Sequence, residues 1–124
     1  MEFITEINIS GKKVLKTVKD PKKSITLPKD IDEVAPGAFM RSLVIEEIIF
    51  PDHITDLPES IFSGLKYLKK VILPKNLTHI AKMFQYTPAI ETVRLPEAIT
   101  AIPNKAFYNC TELKAIVIPM GVKT

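Results

Sequence analysis

Five short segments of one kind recur along this 124-residue chain, each reading apolar-x-apolar-Pro. They are Ile25-Thr26-Leu27-Pro28, Ile48-Ile49-Phe50-Pro51, Val71-Ile72-Leu73-Pro74, Val93-Arg94-Leu95-Pro96 and Ile116-Val117-Ile118-Pro119. Their prolines stand 23, 23, 22 and 23 residues apart. A fixed spacing in the range of roughly 20–50 residues marks a solenoid, in which each repeat is one supersecondary unit stacked on the last. A solenoid is mostly surface, so its default role is to hold another molecule.

Numbered from the proline, each repeat has one pattern. Three residues and one residue before it the side chain is always apolar, the alternation of a short strand with one face inward. The proline has no N–H for a ladder and ends the strand. Three residues after it stand Ile31, Ile54, Leu77, Ile99 and Val122, and three later Val34, Leu57, Ile80 and Ile102. A phenylalanine follows in four repeats: Phe39, Phe62, Phe84 and Phe107. Six residues beyond it come Ile45, Leu68, Ile90 and Leu113, leading into the next strand. No repeat can cover its own apolar side, so neighbours must do so, and the four phenylalanines are expected to form a continuous spine. The third repeat lacks one residue between Ile80 and Phe84. A loop can absorb that loss, whereas a shift within a strand would turn its faces over.

This pattern resembles the BspA-like leucine-rich repeat, and the segment from Leu95 to Pro119 carries the resemblance from end to end. The resemblance covers residues 24–124. It implies an α/β-type repeat solenoid: a short right-handed leucine-rich-repeat array with a parallel β-sheet on the concave face. The convex side is then mostly loop and turn, or short helices. It also implies protein or surface binding, often adhesion, at a cell surface or in secreted form. Two departures stand out. The asparagine that stacks into a ladder in many such repeats would fall two residues after the proline, where this chain has Asp30, His53, Asn76, Ala98 and Gly121. Cys110 aligns with Ser42, Leu65 and Thr87, and its family equivalent is an inert, buried packing residue.

The ends differ from the repeats. Residues 1–23 read as a β-hairpin cap, with strands over Phe3–Ile9 and Val14–Val18 joined at Ser10-Gly11-Lys12. Residues 24–124 form the solenoid, four repeats of 22–23 residues and a partial fifth. That fifth repeat has no phenylalanine and no polar capping turn, which points to a longer array or an open end that docks on something. The start lacks a signal-peptide pattern, so the chain read literally is cytoplasmic. No apolar run is long enough to span a membrane.

Charge is uneven. Residues 1–29 hold seven lysines against three acidic side chains, while the whole chain carries a formal charge of +3. No arginine or aromatic residue interleaves those lysines, as base stacking would require, so nucleic-acid binding is not expected. Protection of a strand edge from other edges is the simpler role.

Chemistry is sparse. One cysteine excludes an internal disulfide and a cysteine-based metal site. His53 and His79 fall at different repeat positions, and Asp52, His53 and Asp56 read as a solvated loop cluster rather than ligands. No nucleophile–base arrangement can be built, so the chain is expected not to be an enzyme and to use no cofactor or metal. Three sequons (Asn8, Asn76, Asn109) matter only in a secreted eukaryotic protein.

The informative surface is the outer face of the strands. Two residues before the prolines stand Thr26, Ile49, Ile72, Arg94 and Val117; four before stand Ser24, Glu47, Lys70, Thr92 and Ala115. Ile49 and Ile72 draw an apolar stripe with Arg94 beside it and Glu47 and Lys70 at its margin. Such a patch with a polar rim marks an interaction site. The chain therefore reads as a non-catalytic protein-binding module that uses Glu47, Ile49, Lys70, Ile72, Arg94 and Val117. The alternative is a structural unit that self-associates, as a dimer or end to end, through the sheet face or the open C-terminal end. Tyr67, Tyr86 and Tyr108 are expected to pack on the convex side.

Overall fold

A computed structural model describes residues 1–39, 41–120 and 122. The four-residue repeat signals become strands β3 (Ser24–Thr26), β5 (Glu47–Ile49), β6 (Lys70–Ile72), β7 (Thr92–Arg94) and β8 (Ala115–Val117). They follow one hairpin, β1 (Glu2–Ile7) and β2 (Lys13–Lys19), and β4 (Glu33–Val34) lies within the first repeat. The five repeat strands make one parallel sheet in the order β3-β5-β6-β7-β8. Every pairing joins like positions of successive repeats, for example Ile25 with Ile48, Val71 with Val93 and Val93 with Ile116. The result is a β-solenoid of about four turns.

Each turn buries the residues the pattern places inward. Ile25, Ile48 and Val71 are fully buried, as are Ile31, Leu77, Ile99, Ile45, Leu68 and Ile90. After the proline the chain bends at once: the carbonyls of Pro28, Pro74, Pro96 and Pro119 each accept the N–H three residues on, at 3.2 Å. The missing residue of the third repeat leaves the sheet register intact, since Lys70, Val71 and Ile72 still face Thr92, Val93 and Arg94. The shortened turn instead carries Ala81 at a φ of 45°. That is a left-handed conformation for a residue with a Cβ; Lys105, two residues before Phe107 in a full-length repeat, shares it at a φ of 61°.

The aromatic spine exists with one addition. Phe62 stacks on Phe84 with centroids 5.2 Å apart, and Phe84 on Phe107 at 5.4 Å. Between Phe39 and Phe62 stands Phe50, edge-on to both at 6.4 and 6.0 Å. Phe50 occupies the position just before the proline, where the other repeats have Leu or Ile. The larger ring reaches the spine and links its first two members.

No helix occurs among the described residues, which corrects the α/β assignment and the short-helix version of the outer turns. The reason is local. The carbonyls of Phe39, Phe62, Phe84 and Phe107 accept the N–H three residues on, closing tight turns. Two residues after each Phe the backbone is left-handed: Arg41 (φ 51°), Gly64 (79°), Tyr86 (64°) and Asn109 (62°). A left-handed residue at that point ends any helical turn before a second can form. Pro36, Pro58, Pro88 and Pro103 remove further donors from the same side.

The hairpin closes the N-terminal end of the stack. Asn8 turns it, its Oδ1 accepting the N–H groups of Ser10 and Lys12, while Gly11 sits at a φ of 79°. β2 then runs parallel to β4, Val14 facing Glu33 and Leu15 facing Val34. Leu15 and Val18 are buried and Phe3 packs beside them. The Lys13 ammonium, hydrogen-bonded to Asp30, holds that carboxyl below its ordinary range and ties the hairpin to the first repeat. The hairpin's buried Leu15 and Val18 join the core, while β3 stays an edge strand of the five-stranded sheet.

Two substitutions test this packing. Phe84→Ala removes the ring between two stacked neighbours and should cost about 3–5 kcal/mol in urea denaturation; a loss below about 1 kcal/mol would show that the spine carries no stability. Gly64→Ala should also destabilise, by about 1–3 kcal/mol. Its new Cβ would stand 2.5 Å from Cγ of Arg41, at a φ of +79°. Adding Arg41→Ala removes the Cγ and Cδ contacts but keeps a Cβ 2.9 Å away, so it should recover only part of the steric loss and none of the backbone part.

Candidate functional site

The outer face of the sheet is built by register alone. Because like positions pair, the side chains two residues before the prolines form one column, Thr26, Ile49, Ile72 and Arg94. Neighbouring strands lie about 4.8 Å apart, so Ile49 and Ile72 touch as one apolar patch. Both are half-buried, and Arg94 beside them is exposed. The Val117 backbone pairs with Arg94, but its side chain lies outside those the structure describes, as does Gly121.

The column four residues before the prolines holds Glu47 and Lys70. They meet each other: Lys70 Nζ lies 3.6 Å from Glu47 Oε2, and Ser24 Oγ donates to Glu47 Oε1 at 2.6 Å. These two charges are tied down in a small network on the margin of the stripe.

One residue further out runs a column outside the apolar repeat pattern: Lys23, Glu46, Lys69, Glu91 and Lys114, alternating in sign at every step. Its cause lies in the backbone. The carbonyl of each of the first four members accepts two N–H groups from the next repeat, as Lys23 O does from Glu46 and Glu47 at 2.8 and 2.9 Å. Glu46, Lys69 and Glu91 repeat that arrangement, so the side chains stand one above another. Glu46 lies 3.8 Å from Lys23 and 3.5 Å from Lys69, and Glu91 lies 2.6 Å from Lys114. The hydrogen bond from Lys114, then its charge, holds the Glu91 carboxyl below its ordinary value, and the same bond raises Lys114. Slippage by one repeat would set lysine against lysine and glutamate against glutamate. Aligning the repeats five residues before the proline reveals this alternation, so the signal was present in the sequence.

On the opposite margin, just past the strands, the residues after the prolines are Lys29, Asp52, Lys75, Glu97 and Met120. Two shallow depressions open there, of about 610 and 830 Å³, and share Asp52 and Arg94 in their walls. Ile49 and Ile72 line the first, and Lys75 and Glu97 the second.

The remaining candidates are structural. His53 Nε2 lies 2.8 Å from the Ile31 carbonyl and 3.7 Å from Asp32, bridging two repeats. His79 stands 3.6 Å from Asp56. Among the described residues no three of His, Cys, Asp and Glu are grouped to hold a metal. Cys110 is half-buried rather than buried; its Sγ donates to the Phe84 carbonyl at 2.9 Å, as Thr87 Oγ1 does at 2.6 Å. Tyr67, Tyr86 and Tyr108 are exposed on the outer turns, with Tyr86 edge-on to Tyr108 at 5.8 Å. No described helix is long and apolar enough to cross a membrane.

Comparison with known proteins agrees with this architecture. A family model for the BspA type leucine rich repeat region matches residues 12–114 in six copies, beginning inside the hairpin just before β2. The fold is similar to the crystal structure of the T. pallidum leucine rich repeat protein TpLRR: TM-score 0.71, 19% identity, 98% of this chain and 71% of that one. It is also similar to a leucine rich cell surface protein from Faecalibacterium prausnitzii A2-165: TM-score 0.62, 22% identity, 92% of this chain and 37% of that one. No curated protein matches the chain significantly in sequence.

The charge column makes a pH prediction. A depressed Glu91 stabilises the fold above its unfolded value near 4.5, and that contribution is lost as pH falls through the folded value. A raised Lys114 stabilises below its unfolded value near 10.5, and is lost as pH rises through the folded one. Glu91→Gln should therefore lower the thermal midpoint slightly at pH 7, and the gap to wild type should close below pH 4.5. A gap that persists unchanged at pH 3 would exclude the ion pair as its source.

Proposed function

The chain belongs to the BspA-type leucine-rich repeat family, and from that premise we propose that it is a non-catalytic protein-binding module working through its sheet face. Members of this family are typically protein-interaction or surface proteins, and surface recognition or adhesion is the setting that fits. The observation that carries the proposal is the state of that face. Ile49 and Ile72 form an apolar patch with the exposed Arg94 at its end, while Glu47 and Lys70 beside it are already satisfied by each other. An apolar centre with a polar rim is how interfaces are arranged, and arginine is among the residues that dominate their energy. In this reading Ile49, Ile72 and Arg94 are the anchors, Val117 extends the column, and Glu47 and Lys70 form a fixed rim that sets specificity.

Self-association end to end is a second reading, because β3 and β8 are the outermost strands of the sheet among the described residues. The alternating column opposes it. Lys23 and Lys114 stand at its two ends, so docking β8 of one copy on β3 of the next would set two lysines side by side. Mass measured by light scattering across a concentration series separates the two readings: a concentration-independent monomer supports the first, growing oligomers the second.

Ile72→Lys places a charge in the centre of the stripe without touching the core, since Val71 and Leu73 carry the buried positions. It should weaken partner binding by about ten-fold or more while leaving the denaturation midpoint nearly unchanged. Unaltered affinity for a partner captured by the wild-type protein would sink the assignment of this face.

A further inference from the structure

The two margins of the sheet face differ in what their charges do. On the side where the strands begin, Lys23, Glu46, Lys69, Glu91 and Lys114 are spent on one another, and Glu47 and Lys70 form a pair. On the side where they end, Lys29, Asp52, Lys75, Arg94 and Glu97 are charged, yet none takes part in an ion pair among the described residues. The depressions open on this second margin, joined through Asp52 and Arg94. Arg94 is the member that reaches both the apolar patch and the open charges, since it pairs in register with Ile72 and lines a wall with Lys75.

We propose that this face takes an extended peptide segment carrying one carboxylate and, two residues away, one large apolar side chain. The inference rests on the sheet-face reading above and names the chemistry of the partner. The guanidinium of Arg94 offers a planar fork that suits a carboxylate in bidentate fashion, and Lys75 adds a second positive charge on the same wall. Two residues of extended chain span roughly 6.7 Å. Neighbouring strands lie about 4.8 Å apart, so on a peptide running along the stack a same-side neighbour of a carboxylate over Arg94 falls over the Ile49–Ile72 pair. Three cations face two carboxylates along this margin. Asp52 and Glu97 repel a second and third acidic group, so a single acid is favoured over a polyanion.

The probes are acetylated, amidated heptapeptides of one frame, Gly-Thr-X-Ser-Leu-Thr-Gly, with X as Asp, Asn or Lys. Titration is followed by amide chemical shifts of the intact chain. The Asp peptide should bind about ten-fold or more tighter than the Lys peptide, with shifts centred on β6 and β7 and weakening as salt rises. Arg94→Glu should reverse the order of Asp and Lys, and circular dichroism should show it folded as wild type, since Arg94 lies on the surface. Equal binding of the three peptides, or an order unchanged by Arg94→Glu, overturns the proposal. Peptides that bind without charge preference and are lost with Ile72→Lys would overturn it while leaving the sheet face as the binding surface. Shifts confined to other surfaces and indifferent to Ile72→Lys would overturn both.

Discussion

Everything in this molecule depends on one interaction, the in-register hydrogen bonding of each repeat to the next. Once Ile25 faces Ile48 and Val71 faces Val93, any property assigned to a repeat position becomes a column along the whole stack. The core is a set of such columns, one of which is aromatic. The charged margin is another, fixed because the carbonyls of Lys23, Glu46, Lys69 and Glu91 each hold two N–H groups of the next repeat. A single exposed ion pair contributes little. Five alternating charges act mainly on specificity, since a slip by one repeat makes every pairing in the column repulsive.

The sheet was legible because the strand signal is periodic and each inward position is simply apolar. The short third repeat was legible too, since strands cannot shift by one residue without exposing their cores. Other features were not, for definite reasons. Phe50 joins the spine through the length of its side chain, which position alone does not reveal. β4 is only Glu33–Val34 and exists because β2 offers it a partner; nothing in two residues announces a strand. The absence of helices follows from left-handed residues after each Phe, and at Arg41 and Tyr86 those are not the Gly or Asn that would signal them.

The face itself was placed by alternation, since residues between two inward positions must point outward. What alternation could not tell is which outward charges are free. Glu47 and Lys70 looked available and turn out to be paired, whereas Arg94, beside the apolar patch, has no ion-pair partner among the described residues. That distinction needs side-chain distances, and it moves the centre of the face toward the ends of the strands.

The direction of the ladder bonds has a mechanical consequence. They run along the axis of the stack, so tension applied between its ends pulls on them lengthwise, one rung after another, instead of shearing a whole sheet at once. The stack should therefore yield by peeling. Each released rung of 22–23 residues would lengthen the chain by up to roughly 75–80 Å. A tethered protein of this build would behave as a spring that gives way in equal steps and can close again rung by rung.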